Sequence, residues 1–196
     1  AINYIAHFDA ESSRDIDTDF LRYKLNAILP AEIAVHEVSE VRDDFHSRFD
    51  ATSREYKYFI HRKKDPFMSD RSYLFTMPLD LEAMNRGAAL LLGEHDFSCF
   101  EKVGGNNKTS VCNITDARWK TWTPDHVRMM GYPCIDGDYI VFTVRADRFL
   151  RNMVRAIVGS MIEIGRGKRS PEWIGELVDH GTRSDAGQSV PGHALF

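Results

Sequence analysis

YIVFTVRADRFLRNMVRAIVGSMIEI, residues 139–164, is the stretch that determines the predicted architecture. Alternate residues from Ile140 to Ala146 are apolar and share one face of a predicted strand. From Phe149 the apolar residues recur at helical spacing, which predicts the longest helix of the chain over about 149–164. A strand followed directly by a long amphipathic helix indicates a domain that packs helices against a sheet.

The segments on either side of this stretch give an alternating order of elements. The predicted elements from residue 54 onward are strand 54–60, helix 81–91, a loop rich in glycine and asparagine around 104–107, strand 111–122, strand 139–146, helix 149–164, a short extra helix from 170, and a strand that the chain barely enters at 194–196. This is the βαββαβ order of a ferredoxin-like unit, so the predicted fold class is α+β.

The first 48 residues predict only the second part of a similar unit. A strand over 2–8 is followed by a helix that Asp15 or Asp17 caps and Pro30 stops, and then by a strand over 33–38. We therefore expect residues 1–48 to be the remainder of an N-terminal ferredoxin-like half. We expect residues 49–196 to form the C-terminal half, with its last strand truncated. Apolar residues at both ends predict a piece of a longer protein.

Composition restricts the class of protein. With 196 residues, 43% hydrophobic and 28% charged, the chain has a globular mixture that excludes collagen-like, disordered and membrane classes. Three distant cysteines exclude a disulfide framework and indicate a reducing cytoplasm. A net charge of -4 excludes a globally basic nucleic-acid binder but leaves room for a local basic patch.

One segment, 145–169, is strongly basic. It holds seven basic residues against two acidic ones. Within the predicted helix, Arg151 and Arg155 are four residues apart and would share a face, and Arg148, three residues before Arg151, extends that face. Cations near a helix N-terminus are disfavoured by ~0.3–1 kcal/mol each. The segment therefore predicts an anion-binding surface, and the alternative is a solvated face with local ion pairs.

Aromatic and basic residues are interleaved in the predicted strand at 54–60. Tyr56 and Tyr58 fall on one face, and Lys57 and His61 on the other. Aromatic side chains on a sheet beside cations can stack on RNA bases. The alternative is a core tyrosine whose hydroxyl is hydrogen-bonded. Signatures of zinc proteases, serine hydrolases and dinucleotide binders are absent from the sequence.

Four segments in consistent order resemble the family of bacterial tRNA pseudouridine synthase A. The segments that carry this resemblance are DFHSRFDATSREYKY (44–58), LLLGEHDFSCF (90–100), FLRNMVRAIVG (149–159) and AGQSVPGHALF (186–196). The resemblance implies two ferredoxin-like halves around a central sheet and a basic cleft. It also implies isomerisation of specific uridines in the anticodon arm of tRNA, no metal or organic cofactor, a homodimer, a cytoplasmic location and no membrane partner.

The resemblance assigns roles to individual positions. Arg155 matches the arginine that pairs with the nucleophilic aspartate of the family, and so keeps that carboxylate ionised and oriented. Tyr56 matches the tyrosine that packs on the target base, and Leu195 matches the apolar residue that lines the pocket. Arg151 and Arg148 are expected to contact phosphates.

The nucleophile motif of the family, GRTDAG, is expected to precede the strand at residue 2 and does not occur in this sequence. TRSDAG at 182–187 imitates it, but lies in the loop before the last strand, so Asp185 is expected to support a turn instead. The chain by itself is therefore expected to be inactive. The alternative function is a non-catalytic RNA-binding module, and a protein-interaction domain is a third class.

Overall fold

The computed structural model describes residues 4–11, 15–102, 104 and 108–196. The chain divides into an N-terminal unit, residues 3–51, and a C-terminal unit, residues 52–196. The helices and strands are α1 Thr18–Ile28, β1 Arg54–His61, β2 Tyr73–Leu74, α2 Leu81–Ala89, β3 Gly93–Asp96, β4 Val111–Thr121, α3 Asp125–Met130, β5 Tyr139–Ala146, α4 Met153–Gly165 and α5 Trp173–His180, with short 3₁₀ turns at Ser98–Phe100 and Gly192–Ala194.

The C-terminal unit is built on one five-stranded sheet in the order β2-β1-β5-β4-β3. β5 lies antiparallel between β1 and β4. Leu195 forms an antiparallel bridge with Tyr58, which brings the last residues of the chain to the outer edge of β1. With the segment at Leu195 counted as the last strand, the four main strands lie in the order Leu195 segment, β1, β5, β4. The predicted α+β class with its βαββαβ order is confirmed.

Helices α2, α4 and α5 cover one face of this sheet and enclose the main core. Eleven of the 13 residues of α4 are buried, because α4 packs against α2 and shares one apolar core with the sheet and α5. Burial of each large aliphatic side chain contributes roughly 1.5–3 kcal/mol. α2 begins at the predicted cap, where the Asp80 carboxylate accepts a hydrogen bond from the amide of Ala83 at 2.9 Å. This apolar face holds α4 in a fixed position on the sheet.

A second, smaller cluster lies on the other face. Met68, Val127 and Tyr139 form its buried centre. Asp65 is buried beside it, and its carboxylate accepts hydrogen bonds from the Tyr139 hydroxyl and the His126 ring, both at 2.7 Å. Burial alone would raise the pKa of Asp65, but these bonds and one from the amide of Phe67 hold it below its usual range.

The N-terminal unit is simpler than expected. Asp17, one of the two predicted caps, accepts the amide of Phe20 at 2.9 Å, and α1 ends before Pro30. The predicted strand over 33–38 is wrong, because no described segment pairs with it. Instead the side-chain amide of Asn26 bonds to both backbone groups of Val35 at 2.8 Å. Residues 4–8 of the other predicted strand are not in a strand, and residues 2 and 3 lie outside the described part.

Some elements of the C-terminal unit also differ from expectation. β2 and β3 were not predicted, since segments of two and four residues give no periodic signal. The predicted loop at 104–107 lies outside the described residues except for Gly104. No helix in the described ranges has the length and apolar character needed to cross a membrane.

Candidate active site

The N-terminus of α4 differs from the prediction in a way that rearranges the arginines. The helix begins at Met153, not at Phe149, because Asn152 has φ 68°, in the left-handed region. Arg148 and Arg151 therefore lie in the connection before the helix, and the predicted shared helix face is wrong. Only Arg155 is in the first turn, as its third residue.

Arg155 is fixed by a reciprocal contact with the loop before the chain end. Its Nε donates to the carbonyl of Val190 at 2.6 Å, and its own carbonyl accepts the amide of Val190 at 3.2 Å. The guanidinium also lies beside Gly192, where an added Cβ would be 3.7 Å from one terminal nitrogen. Among the described residues no hydrogen bond is made by the terminal nitrogens of Arg155. The half-buried guanidinium thus has one edge held and the other available to an anion.

Tyr58 lies near Arg155 and pairs with Leu195. Tyr58 is fully buried, and its hydroxyl donates to the carbonyl of Pro191 at 2.8 Å. Burial raises the pKa of Tyr58 well above its usual range, nearby Tyr73 raises it further, and the Arg155 guanidinium opposes the rise. Leu195 is half-buried and pairs with Tyr58 through the backbone. Arg155 and Leu195, which the resemblance singled out, therefore both lie near the same buried tyrosine.

Tyr56 lies on the same face of β1 as Tyr58, as predicted, but its surroundings differ. It is half-buried and packs edge-on against Phe149, with ring centroids 5.0 Å apart. The stacking interpretation is wrong for Tyr58, because a fully buried ring cannot meet a base; Tyr58 is the core tyrosine with a bonded hydroxyl. For Tyr56 the stacking role stays a prediction, since part of its ring is exposed.

The basic segment divides into two regions. At the C-terminal end of α4, Arg166 and Lys168 both lie within 4.0 Å of Glu163, and on β5 Arg145 pairs with Glu55 at 2.7 Å. These cations are a solvated face with local pairs. Arg166 is also roughly 16 Å along the helix axis from Arg155, at 1.5 Å per residue.

The cations before α4 have different surroundings. Arg151 is exposed, and its carbonyl accepts the amide of Lys102 at 3.0 Å. Arg148 is half-buried, and its amide donates to Asp147 at 2.7 Å. Arg148 and Arg151 therefore lie in the segment between β5 and α4, directly before the helical turn that contains Arg155. Their contact with phosphates stays a prediction.

Asp185 is engaged within its own turn. Its carboxylate accepts the amide of Thr182 at 2.9 Å and the hydroxyl of the same residue at 2.6 Å. The hydrogen bond from that hydroxyl, aided by the one from the amide, lowers the pKa of Asp185. This is the turn-supporting role expected from the position of the motif.

Sequence reasoning missed the polar residues that hold this loop. The Arg183 guanidinium donates to the Ser189 hydroxyl at 2.8 Å, and so does the side-chain amide of Asn152 at 2.6 Å. At Gly159 in α4, an added Cβ would overlap the carbonyl oxygen of Gln188, so the loop lies directly against the helix. In the described ranges no three side chains of the metal-binding types come together.

Comparison with known proteins gives one consistent result. A family model described as tRNA pseudouridine synthase matches residues 88–196. A tRNA pseudouridine synthase A from Parabacteroides distasonis is 45% identical over 192 residues, covering 98% of this chain and 70% of that protein. Proteins with the same name from Bacteroides fragilis and Halalkalibacterium halodurans are 42% and 39% identical, each over 98% of this chain and over 71% and 68% of their own lengths.

Proposed function

The chain belongs to the tRNA pseudouridine synthase family, and on this basis we propose that the intact protein isomerises specific uridines to pseudouridine in the anticodon arm of tRNA. In this reaction the bond between uracil N1 and ribose C1′ breaks, and a bond between uracil C5 and C1′ forms. N1 gains a proton and C5 loses one, so the product is an isomer of the substrate. The base must leave its stack to react.

The observation that carries the proposal is the arrangement of Arg155. The Arg155 guanidinium, a rigid fork of N–H donors, is half-buried next to the hydroxyl end of Tyr58 and the 190–195 segment. A carboxylate placed against its free edge would be held ionised through charge-assisted hydrogen bonds. In this role Arg155 orients the nucleophilic aspartate of the family.

The other candidate residues take the roles that the resemblance implies. Tyr56 packs on the target base with the exposed part of its ring, and Leu195 lines the base pocket. Arg151 and Arg148 contact phosphates on the approach to Arg155. No metal or organic cofactor enters this scheme, because the aspartate and the arginine supply the nucleophile and the charge.

The aspartate nucleophile is not among residues 1–196, so this chain alone is expected to be inactive. The test uses tRNA carrying tritium at C5 of uridine, since formation of the new carbon–carbon bond releases that atom to water. The intact protein, in which this chain is joined to the GRTDAG segment, should release tritium. The 196-residue chain and the intact protein with the motif aspartate changed to asparagine should stay at background.

Measurements of tRNA binding and of tritium release together distinguish the alternative functions. Binding of tRNA by the intact protein without tritium release would favour a non-catalytic RNA-binding module, and absence of both would favour a protein-interaction domain. Release by the 196-residue chain that disappears on Asp185→Asn would refute the assignment of Asp185 to a turn.

The organisation of the intact protein follows from the same family membership. We propose that residues 1–48 belong to the first ferredoxin-like half and residues 49–196 to the second. We also propose that the intact protein is a homodimer in the cytoplasm, where its tRNA substrate is found. Light scattering coupled to size-exclusion chromatography tests the dimer directly, and a monomeric mass at micromolar concentration would contradict it.

A further inference from the structure

The loop at 182–190, which imitates the nucleophile motif, is attached along the side of α4. The amide of Gly187 donates to the buried hydroxyl of Ser160 at 2.9 Å, and that hydroxyl donates to the carbonyl of Ala156 at 3.0 Å. A Cβ on Gly187 would come within 2.6 Å of the amide nitrogen of Ser160. The loop backbone therefore contacts the helix backbone directly.

Arg183 joins this loop to the start of the helix. Its two terminal nitrogens donate to the carbonyl of Gly187 at 3.1 Å and to the hydroxyl of Ser189 at 2.8 Å. The same hydroxyl accepts the side-chain amide of Asn152 at 2.6 Å. Ser189 is thus held from two sides by side chains that are 31 residues apart in the sequence.

These contacts surround the Arg155–Val190 pair. Ser189 directly precedes Val190, whose carbonyl accepts Nε of Arg155. Asn152 is the left-handed residue that starts the helix, and its carbonyl accepts the first helical bond, from the amide of Ala156 at 3.1 Å. A residue in this unfavourable conformation is retained when its surroundings fix it. The Ser189 hydroxyl therefore anchors Asn152 directly and, through the adjoining backbone, restrains Val190, the acceptor of Arg155.

We propose that Arg183 is a positioning residue for Arg155. It acts through Ser189 and Asn152 to hold the Val190 carbonyl and the first turn of α4 in register, so that the free edge of the Arg155 guanidinium faces the reacting carboxylate. This inference rests on the proposed function. Arg183 is half-buried, and both of its terminal nitrogens donate within the protein, which favours this role over direct contact with RNA.

The test compares Arg183→Ala and Arg183→Lys with Arg128→Ala in the intact protein. Arg128 is an exposed cation on α3, and its loss changes the net charge equally. Displacement of a reacting group by about 1 Å costs up to about a hundredfold in rate. We therefore expect Arg183→Ala to lower kcat by about tenfold to a hundredfold, with KM for tRNA within about twofold of wild type. Arg183→Lys should recover part of the loss, and Arg128→Ala should leave kcat unchanged.

A measurement independent of activity is the Arg155 Nε–H signal in nitrogen-15 NMR spectra. Arg183→Ala should accelerate its exchange with water, because the Val190 acceptor is no longer held. Ser189→Ala should do the same and replaces Arg183→Ala if that variant does not fold. Unchanged kcat with unchanged exchange would refute the proposal, and a rise in KM at constant kcat would make Arg183 an RNA contact. If wild-type protein makes no pseudouridine, the proposed function fails, and the exchange measurement still decides the positioning role.

Discussion

Gly159→Ala tests the close contact between α4 and the loop at 182–190. The gain in helix propensity, about 1 kcal/mol, would favour the variant in isolation. Against this, the new Cβ would overlap the carbonyl oxygen of Gln188, which is a backbone atom and cannot rotate away. Overpacking costs about 1–3 kcal/mol. Separation of the loop from the helix also breaks the buried bond between Gly187 and Ser160, at about 1–3 kcal/mol.

The net loss for Gly159→Ala is therefore about 3 kcal/mol, or a fall in Tm of about 6–12 °C for a protein of this size. Gly175→Ala is the matched control, because Gly175 lies in α5 and its Cβ would only touch Leu90 at 3.9 Å. The control should gain about 0.5–1 kcal/mol from helix propensity. Thermal denaturation followed by circular dichroism measures both variants. A Gly159→Ala variant as stable as wild type would refute the packing argument.

Three other predictions concern charge and thiol chemistry. Because the pKa of Asp65 is lowered in the folded state, its stabilisation is present above the unfolded-state pKa of about 4 and is lost as pH falls. Asp65→Asn should thus lower the free energy of unfolding at pH 7 by about 1–3 kcal/mol, measured by urea denaturation, and an equal loss at pH 3 would contradict this. Arg151→Ala should reduce the slope of log affinity for tRNA against log salt concentration by about 0.7–0.9. Arg128→Ala is the control, and equal slopes for the two variants would show that Arg151 is a solvated cation that does not contact phosphate. Cys99 is buried, which raises the pKa of its thiol to about 12, whereas Cys134 is half-exposed. A thiol reagent at pH 8 should therefore modify Cys134 before Cys99. Faster reaction of Cys99 would show that the core opens.

The sequence predicted those parts of the fold whose signals are local. The alternation at 139–146 and 54–60, the helical spacing after residue 152 and the cap at Asp80 all correspond to observed elements. The sequence could not predict where α4 starts, because Phe149 and Leu150 extend the helical spacing of apolar residues toward the N-terminus. The left-handed conformation of Asn152 sets the N-terminal boundary of α4. The hydrogen bond from Asn152 to the distant Ser189 fixes that conformation.

The strand over 33–38 failed for the opposite reason. Its composition favours a strand, but a strand exists only beside a hydrogen-bonding neighbour, and composition does not reveal whether one is present. In the structure the side chain of Asn26 bonds to the backbone of Val35 instead.

The sequence predicted which residues belong to the candidate site, but it did not predict the contacts that those residues make. Arg155 and Leu195 were chosen from the motifs, and the structure brings both to Tyr58. The sequence could not show that Val190 holds Nε of Arg155, since that contact spans 35 residues. The same limit applies to Arg183, whose partners depend on how the loop lies on the helix.

The central claim is that Arg155 acts on the reaction and Arg151 on binding. The most direct measurement is the single-turnover rate of pseudouridine formation in the intact protein at fixed salt, combined with filter binding on the same tRNA. Arg155→Ala should lower the rate by orders of magnitude with little change in affinity, and Arg155→Lys should recover little, because an ammonium lacks the planar donor fork. Arg151→Ala should weaken binding with a smaller loss of rate. If both alanine variants weaken binding equally and leave the single-turnover rate intact, Arg155 is only a phosphate contact and the catalytic assignment is wrong.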